Sequence, residues 1–257
     1  RVLVSSRNLT FDRSWDTILR LDEDAGSAHA INPGPLTDFL RSIPSLAVGA
    51  DHSELVEDLC SSLAGVTFAL PEPFTEGEFL PRGLGSQGFP FPQSADRTLV
   101  ISPFLTLGAL DSVVPTSEER TLISRPESLD RLGTIPLAGW RTLTFQRTAE
   151  VHSDDQLEVS EDSGSGTPLA PPDGLHAKTF IFDVGVKAEV ITGSGNLTHS
   201  GWHENVEFGV RLRELVRGGR CPRGIDGSPR TRSLAFRLCT GFRNGRTRPL
   251  RGHASTH

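Results

Sequence analysis

Short apolar runs alternate with segments of helical periodicity along most of the chain. Runs of three to six mainly apolar residues predict strands, and longer segments with apolar positions three and four apart predict helices. The predicted strands cover residues 2–4, 67–70, 99–102, 121–124, 141–146, 177–182 and 188–192. The predicted helices cover residues 35–43, 53–63 and 105–114, and a further helix begins at Pro126. This alternation is typical of an α/β domain.

Two stretches of the chain resemble each other. Residues 2–10 read VLVSSRNLT and residues 190–198 read VITGSGNLT, and a tryptophan follows each stretch, Trp15 and Trp202. Both copies place an apolar strand before a Ser-x-Asn-Leu-Thr loop, and we expect both tryptophans to pack in the core. The chain is therefore predicted to hold the end of one repeat and all of a second.

This repeat gives a division of the chain into four parts. Residues 1–25 are the end of a first repeat that is largely missing, and residues 97–216 are the second repeat. Residues 26–96 hold two helices and a connector rich in Gly, Pro and Phe, predicted to be irregular over 71–96. Residues 217–257 form an Arg-rich tail, which we expect to be disordered or non-native, with nucleic-acid contact as the alternative.

Composition narrows the class of protein. The chain has 257 residues and a net charge of −6, although residues 217–257 carry ten Arg and one Asp. No apolar run approaches the ~20 residues that span a membrane, and no signal peptide is visible, which favours a cytoplasmic protein. There is no Met, and the chain opens inside an apolar run, so we expect that its N-terminus has been lost. The three cysteines are scattered, which argues against a disulfide framework or a zinc site.

Candidate chemistry lies just upstream of the second loop. His176-Ala177-Lys178 is followed by four further residues and then by Asp183. On a strand His176 and Lys178 point the same way. An imidazole can attack phosphorus, and an ammonium can hold the non-bridging oxygens of a phosphodiester. Ser194 and Asn196, at the end of the next strand, can add hydrogen bonds to the same oxygens.

These residues resemble the phospholipase D superfamily, whose mark is His-x-Lys-x4-Asp followed by Gly-Ser-x-Asn. The resemblance covers residues 1–16 and about 97–212. It implies an α/β/α sandwich with a mixed β-sheet, built from two related repeats. It also implies a site in which two such motifs meet across a pseudo-two-fold axis, where one histidine forms a phosphohistidine and the other protonates the leaving oxygen. No metal or other cofactor is expected.

The resemblance also assigns roles to individual residues. His176, Lys178, Asp183 and Glu207 form the catalytic set, in which Glu207 orients the histidine and Asp183, at the far end of its strand, is structural rather than chemical. The phosphate-binding set comprises Ser194, Asn196, Ser6 and Asn8. The first repeat offers no convincing counterpart of Glu207, and the nearest acid is Asp22. The chain holds one His-x-Lys pair, so a partner pair is expected upstream of Arg1 or in a second copy of the chain.

The sequence therefore predicts a phosphodiesterase that hydrolyses nucleic acid or phospholipid, and a homodimer is one way to complete its site. This chain by itself is expected to be inactive or weak. The alternative is a non-catalytic binding or scaffold module, because such repeats can lose one histidine and keep the fold.

Overall fold

The protein is described by a computed structural model that covers residues 1–6, 14–49, 51–83, 88–113, 117–144 and 174–215. The acidic segment 151–173, the tail 217–257 and Asn8 lie outside the described residues. The strands are β1 (Val2–Ser5), β2 (Ile18–Leu21), β3 (Ala30–Ile31), β4 (Phe68–Ala69), β5 (Glu76–Arg82), β6 (Arg97–Ile101), β7 (Glu119–Ile123), β8 (Arg141–Leu143), β9 (Thr179–Val184), β10 (Lys187–Gly193) and β11 (Glu207–Leu215). The helices are α1 (Gly34–Ser42), α2 (Ser53–Leu63), α3 (Leu107–Asp111), α4 (Pro126–Leu132) and α5 (His199–His203), and a 3-10 helix spans Ile43–Leu46.

A seven-stranded mixed sheet organises the chain. Its strand order is β5-β11-β10-β9-β6-β7-β8. The strands β6, β7 and β8 run parallel to one another, and every other neighbouring pair is antiparallel. Two small antiparallel sheets, β1-β2 and β3-β4, complete the strand set of the described residues. The predicted α/β class with a mixed sheet is confirmed.

Each face of the large sheet is buried by a different part of the chain. On one face, Phe180 and Ile191 pack against Leu110 of α3, Leu129 of α4 and Trp202 of α5. On the other face, the β5–β11 end packs against the β1-β2 hairpin and α1, through a second cluster of buried apolar residues. The first residues of the chain therefore dock directly on the sheet that carries the second predicted repeat.

The strand β5 differs from the sequence prediction, which made residues 71–96 an irregular connector. Gly77 and Pro81 obscured the strand pattern in the sequence. Proline lacks an N–H, yet it is tolerated here because β5 is the edge strand and Pro81 pairs with Phe208 of β11 alone. The hairpin strand β2 was also not predicted. In the described ranges, no helix is long and apolar enough to cross a lipid bilayer.

A close backbone approach joins β10 to β11 where β10 ends. Gly193 lies opposite Gly209, and a Cβ added at Gly193 would lie 2.4 Å from the Phe208 carbonyl oxygen and 2.5 Å from Gly209 Cα. Both neighbours are backbone atoms, so neither can rotate away. The sheet therefore requires glycine at this position.

We predict that Gly193→Ala lowers the free energy of unfolding by about 1–3 kcal/mol, the usual cost of overpacking. Gly108→Ala is the matched control, because a Cβ at Gly108 meets no atom within 4 Å. Chemical denaturation of both variants measures the difference. Equal stability of the two variants would contradict the close-approach argument.

Candidate active site

Apart from Asp183, the described residues of the predicted motif lie at one end of the large sheet. Thr179 of β9 pairs with Thr192 of β10 in an antiparallel register. The segment 176–178 leads into β9, and the loop 194–197 follows β10. Both segments therefore lie at the same end of these two strands. Glu207 begins β11 at this end, because Gly209 lies opposite Gly193. The hairpin β9–β10 therefore brings the two halves of the motif together.

Lys178 is the buried cation at the centre of this end. Its side chain is 7% exposed. Its ammonium donates to the carbonyl oxygens of His176 at 2.7 Å and Ser6 at 3.0 Å. The second bond crosses 172 residues of sequence and attaches the first loop to the second motif.

The environment of Lys178 is poorly suited to a positive charge. Burial is the main effect, and it lowers the pKa of Lys178 from its ordinary value of 10.5. The carboxylates of Asp16 and Glu207 partly offset burial by raising the pKa of Lys178. The positive charge of Arg125 lowers that pKa further. An ammonium held in this way gains a great deal from an arriving anion, because the local dielectric is low.

His176 lies against an acid that the sequence analysis did not select. Its Nδ1 is 3.9 Å from Asp16 Oδ1, and the two side chains are 16% and 8% exposed. The backbone fixes this arrangement, since the amides of His176 and Ala177 both donate to the Trp15 carbonyl oxygen, at 2.9 and 2.8 Å. With Nδ1 turned toward Asp16, Nε2 is the nitrogen available for chemistry.

The two serine loops share one pattern of hydrogen bonds. The Ser6 amide donates to the Thr17 carbonyl at 3.0 Å, and the Thr17 amide donates to Ser6 Oγ at 2.9 Å. The Ser194 amide donates to the Phe208 carbonyl at 3.1 Å, and the Phe208 amide donates to Ser194 Oγ at 3.0 Å. In each loop the serine hydroxyl is held by the strand that returns beside it.

This correspondence pairs the acids of the two loops. Asp16 immediately precedes Thr17, and Glu207 immediately precedes Phe208, so Asp16 occupies the position that Glu207 occupies in the second loop. Spacing in the sequence hid this relation, because the acid follows the serine by ten residues in the first loop and thirteen in the second. The sequence offered Asp22 as the nearest acid to a counterpart of Glu207 in the first repeat. Its side chain is half-exposed and pairs with Arg1 and Arg20.

The remaining loop residues divide by location. Asn196 is part of the turn after β10, its backbone carbonyl accepts from the Thr198 amide, and its Oδ1 is buried without a hydrogen-bond partner in the described part of the chain. Glu207 accepts a hydrogen bond from Asn205 Nδ2 at 3.3 Å. Asn8 lies outside the described residues, so its predicted role stays a prediction.

Asp183 is not brought to this end of the sheet. It lies in β9, seven residues beyond His176, which is about 23 Å along an extended chain. Its carboxylate pairs with the guanidinium of Arg97, and both side chains are largely buried. The location agrees with a structural role for Asp183 rather than contact with substrate.

A cluster of threonine hydroxyls supports the backbone of Lys178. No motif in the sequence marks this cluster. Thr192 Oγ1 donates to the Lys178 carbonyl at 3.0 Å and lies 3.0 Å from Thr17 Oγ1 and 3.2 Å from Thr179 Oγ1. The cluster connects Thr17, the residue just before β2, to the β9–β10 hairpin. Threonine was unremarkable at these positions because strands favour it for its shape alone.

Comparison with known proteins gives structural neighbours only. No protein-family model matches the chain, and no curated protein matches it either. A crystal structure of yeast tyrosyl-DNA phosphodiesterase is similar at 14% identity and a TM-score of 0.30 over 47% of this chain. A mutant of the same yeast enzyme is similar at 12% identity and a TM-score of 0.33 over 53% of this chain.

The described chain matches only part of these neighbours. The matches cover 26% and 30% of the two yeast chains, so this chain spans roughly a quarter of their length. TM-scores in this range do not define a shared fold.

We predict that Asp183→Asn lowers the free energy of unfolding by about 3–5 kcal/mol, since it removes the negative charge that pairs with the largely buried Arg97 guanidinium. Asp22→Asn is the matched control. Its ion pairs are exposed, and the denaturation midpoint is expected to stay unchanged. Urea denaturation compares the two variants, and a similar midpoint for both would contradict a structural role for Asp183.

Proposed function

We propose that the protein hydrolyses phosphodiesters in the manner of the phospholipase D superfamily, with His176 as a catalytic residue. The observation that carries this proposal is the buried Lys178 ammonium, held by two carbonyl oxygens beside an imidazole that faces Asp16. A buried cation next to an imidazole backed by a carboxylate suits an anionic substrate that undergoes nucleophilic attack.

The proposed reaction has two displacement steps. His176 Nε2 attacks the phosphorus, a nitrogen–phosphorus bond forms, and the bond to the leaving oxygen breaks. The leaving oxygen takes a proton from a second acid. Water then gives up a proton to that same group and attacks the phosphohistidine, which frees the phosphate monoester and restores the imidazole. Lys178 neutralises the non-bridging oxygens in both steps, together with Ser194 and Asn196.

We propose further that residues 1–25 and 97–216 are related repeats around a pseudo-two-fold axis. The matching hydrogen bonds of Ser6 with Thr17 and of Ser194 with Phe208 support this proposal. Under this symmetry Asp16 orients His176, and Glu207 serves a second histidine in the same way. That histidine comes from protein sequence upstream of Arg1 or from a second copy of this chain.

The first prediction concerns His176. Hydrolysis of methyl p-nitrophenyl phosphate is expected to persist in excess chelator, because the proposed nucleophile is a side chain. His176→Ala is expected to reduce the rate to the uncatalysed background, since no covalent intermediate can form. Release of p-nitrophenolate measures both, and His199→Ala, which changes an exposed histidine of α5, is the control. Full activity of His176→Ala, or complete loss with chelator, would exclude the mechanism.

The source of the second histidine is tested with the same substrate. If a second copy supplies it, the specific activity of this chain rises with protein concentration. If upstream sequence supplies it, only an N-terminally extended protein is active. Phosphodiester binding without turnover in both forms would instead favour a non-catalytic binding module.

The second prediction concerns Lys178. The charged ammonium is the active form, and its folded-state pKa is lowered by burial, so activity is expected to fall as pH rises through a midpoint below 10.5. Lys178→Arg, if it retains activity, moves this loss to higher pH because a guanidinium stays protonated. Lys178→Ala is expected to cost on the order of 3–4 kcal/mol of transition-state stabilisation.

The other lysine of the chain provides the control for this pH profile. Lys187 is half-exposed on β10 and pairs with Glu76. Lys187→Ala is therefore expected to keep both the rate and the alkaline midpoint of the unaltered chain. An alkaline midpoint that Lys178→Arg fails to move would assign the titration to another group.

A further inference from the structure

A cation–aromatic pair adjoins the His176 segment, and the reaction proposed above does not use it. The guanidinium carbon of Arg125 lies 4.9 Å from the centroid of the Phe104 ring. Arg125 Nε donates to the carbonyl oxygen of Leu175, the residue before His176, at 3.1 Å. Phe104 is 44% exposed. The pair therefore opens to solvent directly beside the proposed nucleophile.

The charge of Arg125 is not neutralised within the described ranges. Three arginines of the large sheet form ion pairs in these ranges: Arg97 with Asp183, and Arg211 and Arg213 with Glu189. Arg125 instead bonds to a carbonyl, and no described carboxylate lies within ion-pair distance of it. Its field reaches the catalytic end, because it contributes to the lowered pKa of Lys178. Among the described residues, Arg125 is therefore a cation that can attract an anion to this surface.

A second aromatic residue belongs to the same segment. Trp15 forms an isolated parallel bridge with Leu175, and its carbonyl accepts the amides of His176 and Ala177. Trp15 is 37% exposed, although the sequence predicted it to pack in the core like Trp202, which is 4% exposed. The backbone of Trp15 therefore lies beside residues 175–177, and the Arg125 guanidinium bonds to the Leu175 carbonyl at the start of that segment.

The Phe104–Arg125 pair disfavours phosphodiesters that carry a cationic headgroup. Proteins bind single-stranded nucleic acid through cationic groups on the backbone and aromatic rings under the bases. A choline, ethanolamine or serine headgroup carries a positive charge, and the guanidinium over the Phe104 ring repels it. A nucleobase is uncharged and planar, and it stacks on either a ring or a guanidinium.

We propose that Phe104 and Arg125 form a nucleoside-binding subsite next to the scissile phosphate, and that the substrate is single-stranded nucleic acid. The position of the scissile phosphate at His176 rests on the proposed function. Phe104 stacks on the base adjoining that phosphate, and Arg125 pairs with the neighbouring backbone phosphate.

Binding tests the subsite without any need for turnover. The anisotropy of a fluorescein-labelled ten-residue oligothymidylate is titrated with the intact chain. Phe104→Leu keeps an apolar side chain at a half-exposed position, and it is expected to weaken binding at least fivefold. Phe104→Trp is expected to retain binding. Arg125→Gln is expected to weaken binding and to reduce the slope of log affinity against log salt by about 0.7, the value for one phosphate contact on a single strand.

Two controls separate the subsite from general effects. Arg120 also lies over an aromatic ring, 5.4 Å from the centroid of Trp140, but at the opposite end of β7 from Arg125. Arg120→Gln is expected to leave oligothymidylate binding unchanged. Thermal melting of each variant shows that it is folded, and Arg125→Lys keeps the charge if the glutamine variant is unstable.

Two diesters with the same leaving group give an independent readout. Thymidine 5′-(p-nitrophenyl phosphate) carries a nucleoside, and methyl p-nitrophenyl phosphate does not. Phe104→Leu is expected to lower kcat/KM at least fivefold for the first diester, mainly through KM, and to leave the second unchanged within twofold. A loss shared equally by both diesters would overturn the proposal.

The remaining outcomes are also decisive. Unchanged oligothymidylate binding in both Phe104→Leu and Arg125→Gln would overturn the proposal. So would Phe104-dependent binding to phosphatidylglycerol vesicles with no binding of oligothymidylate. Failure of the proposed function gives a different result, namely no His176-dependent hydrolysis of either diester. Oligothymidylate binding is measured without hydrolysis, so it tests the subsite separately.

Discussion

A buried ammonium needs hydrogen-bond acceptors, and the way Lys178 obtains them determines how this protein is assembled. Its two acceptors are main-chain carbonyls, one from its own segment and one from Ser6 near the other end of the described chain. Main-chain carbonyls bring no counter-charge, and the carboxylates of Asp16 and Glu207 offset only part of the effect of burial, so the pKa of Lys178 stays lowered. The same bond that fixes the N-terminal loop therefore keeps the site attractive to an anion.

The sheet is built to support this arrangement. The hairpin β9–β10 fixes the spacing between the His176 segment and the Ser194 loop, and the Gly193–Gly209 contact lets β11 approach closely enough to return beside that loop. Threonine hydroxyls then join Thr192 to both Thr17 and the Lys178 carbonyl. Stability and site geometry thus use the same groups, because each of these bonds also holds a residue of the candidate site in place.

Much of this organisation could be predicted from the sequence, for identifiable reasons. The helix at 53–63 and the strands around residues 100, 180 and 190 have strong periodicity, so they were located closely. The strand β5 was missed because Gly77 and Pro81 interrupt its pattern, and only its edge position makes them acceptable. The similarity of the two serine loops was visible in the sequence, whereas the match between Asp16 and Glu207 was not. That match depends on hydrogen bonds across loops of unequal length, which residue counting does not recover.

The bond between Lys178 and Ser6 has a consequence for synthesis of the protein, because it joins residues 172 positions apart. The chain grows from its N-terminus at about 5–20 residues per second, so Ser6 waits on the order of ten to thirty seconds before Lys178 is made. Throughout that interval the β1-β2 hairpin has no sheet to dock on. Its outward-facing Leu3 and Ile18 remain exposed even in the finished fold, at 62% and 66%. The site is therefore completed only after Lys178 has been made, and until then the apolar face of the nascent hairpin lacks the sheet that covers it in the finished fold.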